Sequence, residues 1–263
     1  MMVVKKPERY AMTDAIINQL LGSESQRNLI DERNARRGFM RVVDIIGWIL
    51  LSPLFLLTLL GKLLRMIAPR VHVVGAITGL LYGVLDVPRA AAGVVWNWLV
   101  LFFSFAWVRS WGKFLSLFLE PIFGLVFAAL SPIAFLFKGI DDAVHPPREL
   151  HDNERQLLLR LFPEKFVKRL RIHPEASWMR KISAHGGFTL NEDIYLVDAR
   201  NQWQGHEALH TLQYRSTPGG AAPFLGRYFG QYLGSRITGK NHNEAYSALD
   251  AEDEAHALFS PPG

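Results

Sequence analysis

The sequence predicts an α-helical membrane region followed by a small α+β domain. Two observations predict this division of the 263 residues. Residues 42–138 are dominated by apolar side chains with isolated charges, whereas residues 139–263 have the mixed polarity of a water-soluble domain. Residues 1–41 are mostly polar and are predicted to form a separate N-terminal segment.

The first half contains four apolar runs that are candidates for crossing a membrane, at residues 42–61, 71–87, 90–108 and 115–137. About 20 apolar residues are needed for a helix to cross the hydrocarbon core, so we expect two to four of these runs to span it. The runs offer almost no polar face to water, which favours a membrane over a soluble helical bundle. We therefore predict a multi-pass membrane protein in contact with membrane lipid.

Basic residues flank the predicted membrane region on both sides. Several arginines precede residue 42 and a second basic group follows residue 147, and positive residues beside membrane helices favour the cytoplasmic side. Lys62, Arg65 and Arg70 disturb this symmetry, but the distribution of basic residues still favours a cytoplasmic location for the C-terminal half. The net charge of +5 is not accompanied by a basic motif interleaved with aromatic residues. Nucleic acid is therefore not a predicted partner.

Three glycines in the second apolar run, Gly75, Gly79 and Gly83, are four residues apart and share one face of a helix. Such a stripe of small residues allows another helix to approach closely in lipid, so helix–helix association through these glycines is one interpretation. The alternative is that they interrupt a flexible, partly buried segment. The sequence leaves both interpretations open.

The second half is predicted to contain helices and a β-hairpin. The predicted elements are a linker at 141–147, helices at 149–161, 201–215 and 243–258, and extended segments at 169–173 and 187–197. The last extended segment has a polar turn between two apolar stretches, as a hairpin requires. Aromatic residues between positions 224 and 233 repeat with a helical period and are predicted to face a core.

The predicted helix at residues 201–215 carries the segment His206-Glu207-Ala208-Leu209-His210. Residues four apart lie on the same face of a helix, so the two imidazoles can bind one cation while Glu207 projects beside an open coordination position. The chain has no cysteine, so a transition metal must be held by histidine and carboxylate ligands. This pattern favours Zn²⁺, with Glu207 as the general base that takes a proton from a zinc-bound water. The alternative is a pair of histidines on an ordinary helix surface.

A zinc site of this kind needs a third protein ligand, and the sequence offers several candidates downstream. Glu252 is the favoured ligand, and Glu244 and Glu254 are alternatives. His256 lies four residues after Glu252 on the same helix face, where it could brace the site or the substrate oxyanion. His242 is a weaker candidate. The acidic residues can also be interpreted as an ordinary solvated helix face.

Four segments carry a resemblance to a known family: Phe188-Thr189-Leu190, Ile194-Tyr195-Leu196, His206 to His210, and Gln213-Tyr214-Arg215. Together they are similar to the short zinc-peptidase-like domain called DUF4157, which bacteria carry in toxins and in proteins linked to extracellular contractile injection systems. That family combines a hairpin, an HExxH helix followed by Gln, an aromatic-rich segment and a helix with a Glu-x-Glu-Ala element. The segment from Glu252 to Ala255 matches the last element.

The resemblance covers about residues 169–258 and does not extend to the apolar half. It implies a gluzincin-like metallopeptidase in which zinc is bound by His206, His210 and Glu252, while Glu207 and His256 act in catalysis. In gluzincins an Asp follows the glutamate ligand at the place where this sequence has His256. The fold class predicted from residues and resemblance together is an α-helical membrane region followed by a small α+β zincin-like metallopeptidase domain.

Three functions are compatible with these features. The first is a membrane-anchored zinc metallopeptidase acting on a peptide or protein substrate, with the strand at residues 194–197 as an edge for substrate pairing. The second is a bacterial effector or toxin whose apolar half inserts into a target membrane. The third is a non-catalytic membrane scaffold with a degenerate peptidase fold.

Overall fold

A computed structural model describes residues 38–67, 72–173, 177–179, 187–196 and 202–259. Its first part contains three long helices, α1 (Gly38–Ile67), α2 (His72–Phe103) and α3 (Trp111–Val144), with a 3₁₀ turn (Ala106–Arg109) before α3. All three helices are long and apolar enough to cross a membrane, judged by length and composition. The predicted N-terminal segment at residues 1–41 lies outside the described residues except for its last four, which begin α1.

The second and third predicted apolar runs form one helix. α2 continues through Pro88, where the sequence predicted a break. Proline removes one backbone donor, but packing against neighbouring helices allows a long apolar helix to tolerate it. Pro121 and Pro132 lie inside α3 in the same way. The predicted boundary at Pro88 was therefore wrong, and three long apolar helices replace the four runs within the described residues.

α2 packs against α3 through the stripe of glycines. Gly75, Gly79 and Gly83 lie against the backbone of α3, at Gly139, Phe135 and Pro132 respectively. A Cβ atom at any of the three glycines would overlap atoms of that backbone, which has little freedom to move away. The glycines therefore set how closely the two helices approach each other.

Replacing Gly83 with leucine is expected to force α2 away from α3 and to lower the stability of the protein. Overpacking a close contact typically costs ~1–3 kcal/mol, so the thermal unfolding temperature in detergent should fall. Val84→Leu is the matched control, because Val84 is 50% exposed on the outer face of α2. An unchanged unfolding temperature for Gly83→Leu would contradict this packing.

The outer faces of the three long helices are apolar. Examples are Ile49, Leu56, Val84, Ile122 and Ile133, whose exposed fractions lie between 50% and 67%. Soluble monomeric proteins rarely leave contiguous apolar surfaces of this extent in water. The three helices therefore fit a membrane protein.

Extraction from cell membranes tests this assignment directly. The chain is expected to resist high salt and alkaline carbonate and to dissolve in detergent, because its exposed apolar helices cannot be solvated by water. Fractionation followed by immunodetection measures the distribution. Recovery of the chain as a soluble monomer without detergent would contradict the membrane assignment.

The second part of the structure is a small α+β unit. Its elements are β1 (Arg148–Glu149), α4 (Asp152–Leu159), α5 (Glu164–Val167), β2 (Arg171–His173), β3 (Gly187–Leu190), β4 (Asp193–Leu196), α6 (Gln202–Ser216), α7 (Ala221–Ile237), α8 (His242–Ser247) and α9 (Asp250–Phe259). The described strands form one sheet in the order β1-β2-β4-β3, in which β2 and β4 are parallel and the other pairs antiparallel. The predicted hairpin is confirmed as β3 and β4, joined through Asn191 with a φ of 58°.

The core of this part lies between the sheet, α4, α5, α6 and α9. Leu158 and Ile194 are fully buried in it, together with Ala208 of α6 and Ala255 of α9. Leu209 is also buried there, with 1% of its surface exposed. Because Ala208 and Leu209 pack in this core, the rotation of α6 about its axis is fixed. The direction of its histidine face is fixed with it.

Two predicted boundaries in this part were wrong. The predicted linker at residues 141–147 is helical up to Val144, because Asp141 is buried and accepts hydrogen bonds from the Ser177 hydroxyl and the backbone N–H of Trp178. The predicted helix at residues 243–258 is divided into α8 and α9. The division falls beside Leu249, which is fully buried.

The α+β unit packs directly on the long helices. α7 lies along the N-terminal half of α3, where Gly226 meets Gly124 at backbone contact distance. Near the other end of α3, the fully buried Lys138 forms an ion pair of 3.0 Å with Asp193 at the start of β4. The two parts therefore form a continuous structure, with α3 as the helix that joins them.

Candidate metal centre

Two histidines of α6 lie side by side. His206 and His210 are one helical turn apart, and both are buried. Their Nε2 atoms are 3.0 Å apart, so the two imidazoles converge on the same point. The two imidazoles lie on the same side of α6 because residues four apart share one face of a helix.

Glu252 of α9 completes a group of three side chains. Its Oε2 atom is 3.3 Å from His206 Nε2, and its Oε1 atom is 3.4 Å from His210 Nε2. A tetrahedral zinc ion about 2.0–2.1 Å from each nitrogen or oxygen ligand separates those ligand atoms by roughly 3.3 Å. Each imidazole nitrogen is at about this distance from one of the two oxygens of Glu252, and this buried group could hold a metal ion.

The charges of the group are coupled to one another. Burial by itself raises the pKa of a carboxyl, but hydrogen bonds with His206 and His210 hold the pKa of Glu252 below its ordinary value. Burial also opposes a charge on His210, yet the hydrogen bond with Glu252 and the charge of Glu207 raise its pKa to about 9. The site thus favours a positive charge between these side chains. A metal ion bound there would take the place of that proton, because a ligating imidazole must be neutral.

Gln213 orients one of the imidazoles. His210 Nδ1 is 2.8 Å from Gln213 Oε1, and Gln213 Nε2 donates to the carbonyl oxygen of Ala251 at 3.1 Å. The amide oxygen can only accept, so the neutral imidazole carries its proton on Nδ1. Its Nε2 lone pair is then directed at Glu252, as a metal ligand requires. Sequence reasoning included Gln213 only as part of the family resemblance.

Glu207 lies beside the group but makes different contacts. Thr189 of β3 donates its hydroxyl to Glu207 Oε2 at 2.7 Å, and a Cβ atom at Gly187 would lie 3.2 Å from Glu207 Oε1. Burial raises the pKa of Glu207, although the nearby charges of His210 and His206 oppose this effect. A buried carboxyl with a raised pKa beside a metal-binding group has the properties of a general base.

Tyr228 of α7 also reaches the group, although sequence reasoning assigned it to a core stripe. Its hydroxyl donates to Glu252 Oε1 at 2.8 Å. Burial and the charge of Glu252 raise the pKa of Tyr228, so the hydroxyl keeps its proton and remains a donor. The helix that carries the stripe is confirmed as α7. Its period does not reveal which tyrosine hydroxyl faces a carboxylate, so the sequence carried no signal for this contact.

The alternative third ligands make other contacts or lie outside the description. Glu244 is exposed and accepts a hydrogen bond of 2.9 Å from the backbone N–H of Asn241, which caps α8. His242 is exposed, and its Nδ1 atom is hydrogen-bonded to a tyrosine hydroxyl of α7. The backbones of Glu254 and His256 belong to α9, but their side chains lie outside the described part of the structure. The role expected for His256 therefore stays a prediction.

The strand predicted as an edge for substrate pairing is internal. β4 pairs with β2 on one side through Asp193, Ile194 and Tyr195 and with β3 on the other, so the prediction of an edge at residues 194–197 was wrong for Ile194 and Tyr195. Leu196 pairs with β3, and Val197 lies outside the described residues. The hairpin was evident from the sequence, but its pairing with β2 depends on a contact between distant segments. β3 is the edge strand next to α6 in the described sheet. It carries Gly187 and Thr189, which contact Glu207.

Comparison of the chain with protein-family models, curated proteins and solved structures finds no match. The resemblance to the DUF4157 zinc-peptidase-like domain therefore stays a prediction from its motifs. The structure by itself shows a buried group of two imidazoles and a carboxylate that could hold a metal ion.

Proposed function

We propose that the protein is a membrane-bound zinc metallopeptidase that hydrolyses peptide bonds. Zinc is held by His206, His210 and Glu252. One observation carries the proposal: the Nε2 atoms of two buried histidines are 3.0 Å apart, and each is 3.3–3.4 Å from an oxygen of the buried Glu252 carboxylate. A second buried carboxylate, Glu207, lies beside them and accepts a hydrogen bond from Thr189. Structural zinc sites use four protein ligands, whereas three ligands leave a position for water or substrate. Among the described residues the group has three members.

Each side chain around the site has a separate role in this proposal. A zinc ion held by His206, His210 and Glu252 would supply Lewis-acid chemistry, which polarises a carbonyl and lowers the pKa of bound water to about 7. Glu207 takes up a proton from the attacking water and delivers it to the leaving amine. Thr189 holds the Glu207 carboxylate, while Gln213 and Tyr228 hold His210 and Glu252 in the orientation that metal binding needs.

The substrate is a peptide or protein in extended form. An extended chain can add to the edge of a sheet through main-chain hydrogen bonds. β3 is one of the two edge strands of the described sheet, and its Thr189 is hydrogen-bonded to Glu207. A peptide paired with β3 therefore passes next to the general base.

The long apolar helices attach the protein to membrane lipid. Length and composition are compatible with crossing. The multi-pass topology and the cytoplasmic location of the metal-binding part remain predictions from the sequence.

A peptide library tests the proposed activity. The purified full chain in detergent, supplied with zinc, is expected to generate new N-termini that mass spectrometry detects. Removing the metal with a chelator should abolish the cleavage, and added zinc should restore it. Stoichiometric zinc without metal-dependent cleavage of any library member would refute the peptidase and favour a non-catalytic scaffold.

A further inference from the structure

The α+β unit contacts α3 near both of its ends. Near the start of α3, Lys113 lies 3.6 Å from Asp250 at the beginning of α9. Near its end, Lys138 pairs with Asp193 at 3.0 Å. Between them, α7 packs along the first half of α3 at Gly124. The unit therefore lies beside α3 along most of its length.

The same unit contacts the second half of α2. Asn97 donates its side-chain amide to the carbonyl oxygen of Pro218 at 2.8 Å. Ala90 and Ala128, near the middle of α2 and α3, form one buried cluster with Ala222 at the start of α7. Polar and small side chains of α2 thus face the α+β unit, and large apolar side chains face away from it.

The exterior of the α+β unit is polar. Among the described residues after 144, the large apolar side chains with substantial exposure are Leu159, Trp178, Phe229 and Ile237. Charged side chains are also strongly exposed, including 85% for Glu149, 66% for Glu164 and 61% for Lys168. A charged side chain at the centre of a bilayer costs roughly 2.5–3.5 kcal/mol. The unit therefore cannot lie at hydrocarbon depth.

These contacts conflict with a crossing orientation of α3. About 20 residues of a crossing helix lie in the hydrocarbon core. α3 has 34 residues, so any such stretch includes positions that touch the polar unit. The outer face of α3 is apolar along its length, with exposed fractions of 54% at Phe118, 47% at Leu125, 46% at Leu130 and 54% at Phe137.

We propose that α2 and α3 lie along the membrane surface, with their outer face in lipid and the α+β unit in water on the opposite side. The boundary between lipid and water then runs parallel to both helices, so every contact of the polar unit stays outside the hydrocarbon. Contacts with the polar unit do not restrict the orientation of α1 in this way. Only 17% of its most apolar stretch is buried inside the molecule. The proposal depends on packing and exposure and does not require metal or catalysis.

Depth measurements along α3 test this orientation. The chain has no cysteine, so single-cysteine variants of the full chain can each carry one bimane fluorophore. The variants are Phe118→Cys, Leu125→Cys, Leu130→Cys and Phe137→Cys on the outer face, with Lys168→Cys on the polar unit. Each labelled protein is reconstituted into phosphatidylcholine vesicles. Quenching is compared for lipids that carry a nitroxide at a shallow or a deep position of the acyl chain.

A helix along the surface gives the same ratio of shallow to deep quenching at all four α3 positions, and Lys168→Cys is not quenched. In a crossing helix, a rise of 1.5 Å per residue makes the two middle positions about 10 Å deeper than the two end positions. That depth profile, or a steady gradient from residue 118 to residue 137, would overturn the proposal. Quenching at Lys168→Cys, or no quenching at any of the four α3 positions, would also overturn it. All five replaced side chains are substantially exposed, so the fold should be retained, and circular dichroism checks this for each variant.

Discussion

Replacement of Glu207 by glutamine is expected to leave the zinc content at about one ion per chain and to reduce peptide hydrolysis by ~10²–10⁴-fold. Glutamine keeps the shape of the side chain and can accept the hydrogen bond from Thr189, so the local packing should be preserved. It cannot take up a proton from water. The loss is therefore expected in kcat, with metal affinity unchanged.

Metal analysis and cleavage assays on the same preparation separate the two effects. Glu244→Gln is the matched control, because Glu244 is exposed and caps α8 without contacting the site. It should retain both zinc and hydrolysis. Full hydrolysis by Glu207→Gln would exclude Glu207 as the general base. Loss of zinc together with hydrolysis would mean that Glu207 supports the metal site itself.

Replacement of Glu252 by glutamine is expected to lower zinc affinity by more than ~100-fold. Removing an outer hydrogen-bond partner of a metal ligand typically costs 10–100-fold, and Glu252 is proposed as a ligand itself. Hydrolysis should fall in parallel with zinc content, and excess zinc should restore part of it. Zinc titration monitored by a competing chelator measures the affinity.

Two further variants define the ligand set. His206→Ala combined with His210→Ala should abolish zinc binding, because two of the three proposed ligands are removed. Glu254→Gln should retain zinc. Loss of zinc in Glu254→Gln with retention in Glu252→Gln would transfer the role of third ligand to Glu254. Unchanged zinc in the double histidine variant would remove the proposed site altogether.

Periodicity made the helices and the histidine pair predictable from the sequence. The apolar runs, the hairpin and the helix at His206 to His210 follow from local patterns, since spacing alone aligns residues four apart. The pairing of His210 with Glu252 was proposed from the sequence but not decided by it. Glu244 and Glu252 both belong to the helix predicted at residues 243–258, and only the packing of α9 against α6 buries Glu252 while Glu244 stays exposed.

The features that the sequence missed depend on contacts between distant segments. Pro88 was interpreted as a boundary because proline usually ends helices in water, whereas α2 packs against α3 and continues. Asp141 was interpreted as part of a linker because its partners, at residues 177–179, are 36 or more positions away along the chain. The pattern of apolar residues in α2 and α3 also does not indicate that the α+β unit packs on one face of these helices.

The position of Tyr228 on α7 links the metal site to the lipid-facing helices. Tyr228 donates a hydrogen bond to Glu252. Gly226 and Gly230, which lie two residues before and two residues after Tyr228, contact the backbone of α3. Because glycine leaves no side chain to absorb a displacement, a shift of α3 is expected to move α7 with it. Such a movement is expected to reach the Tyr228 hydroxyl and, through its hydrogen bond, the carboxylate of Glu252.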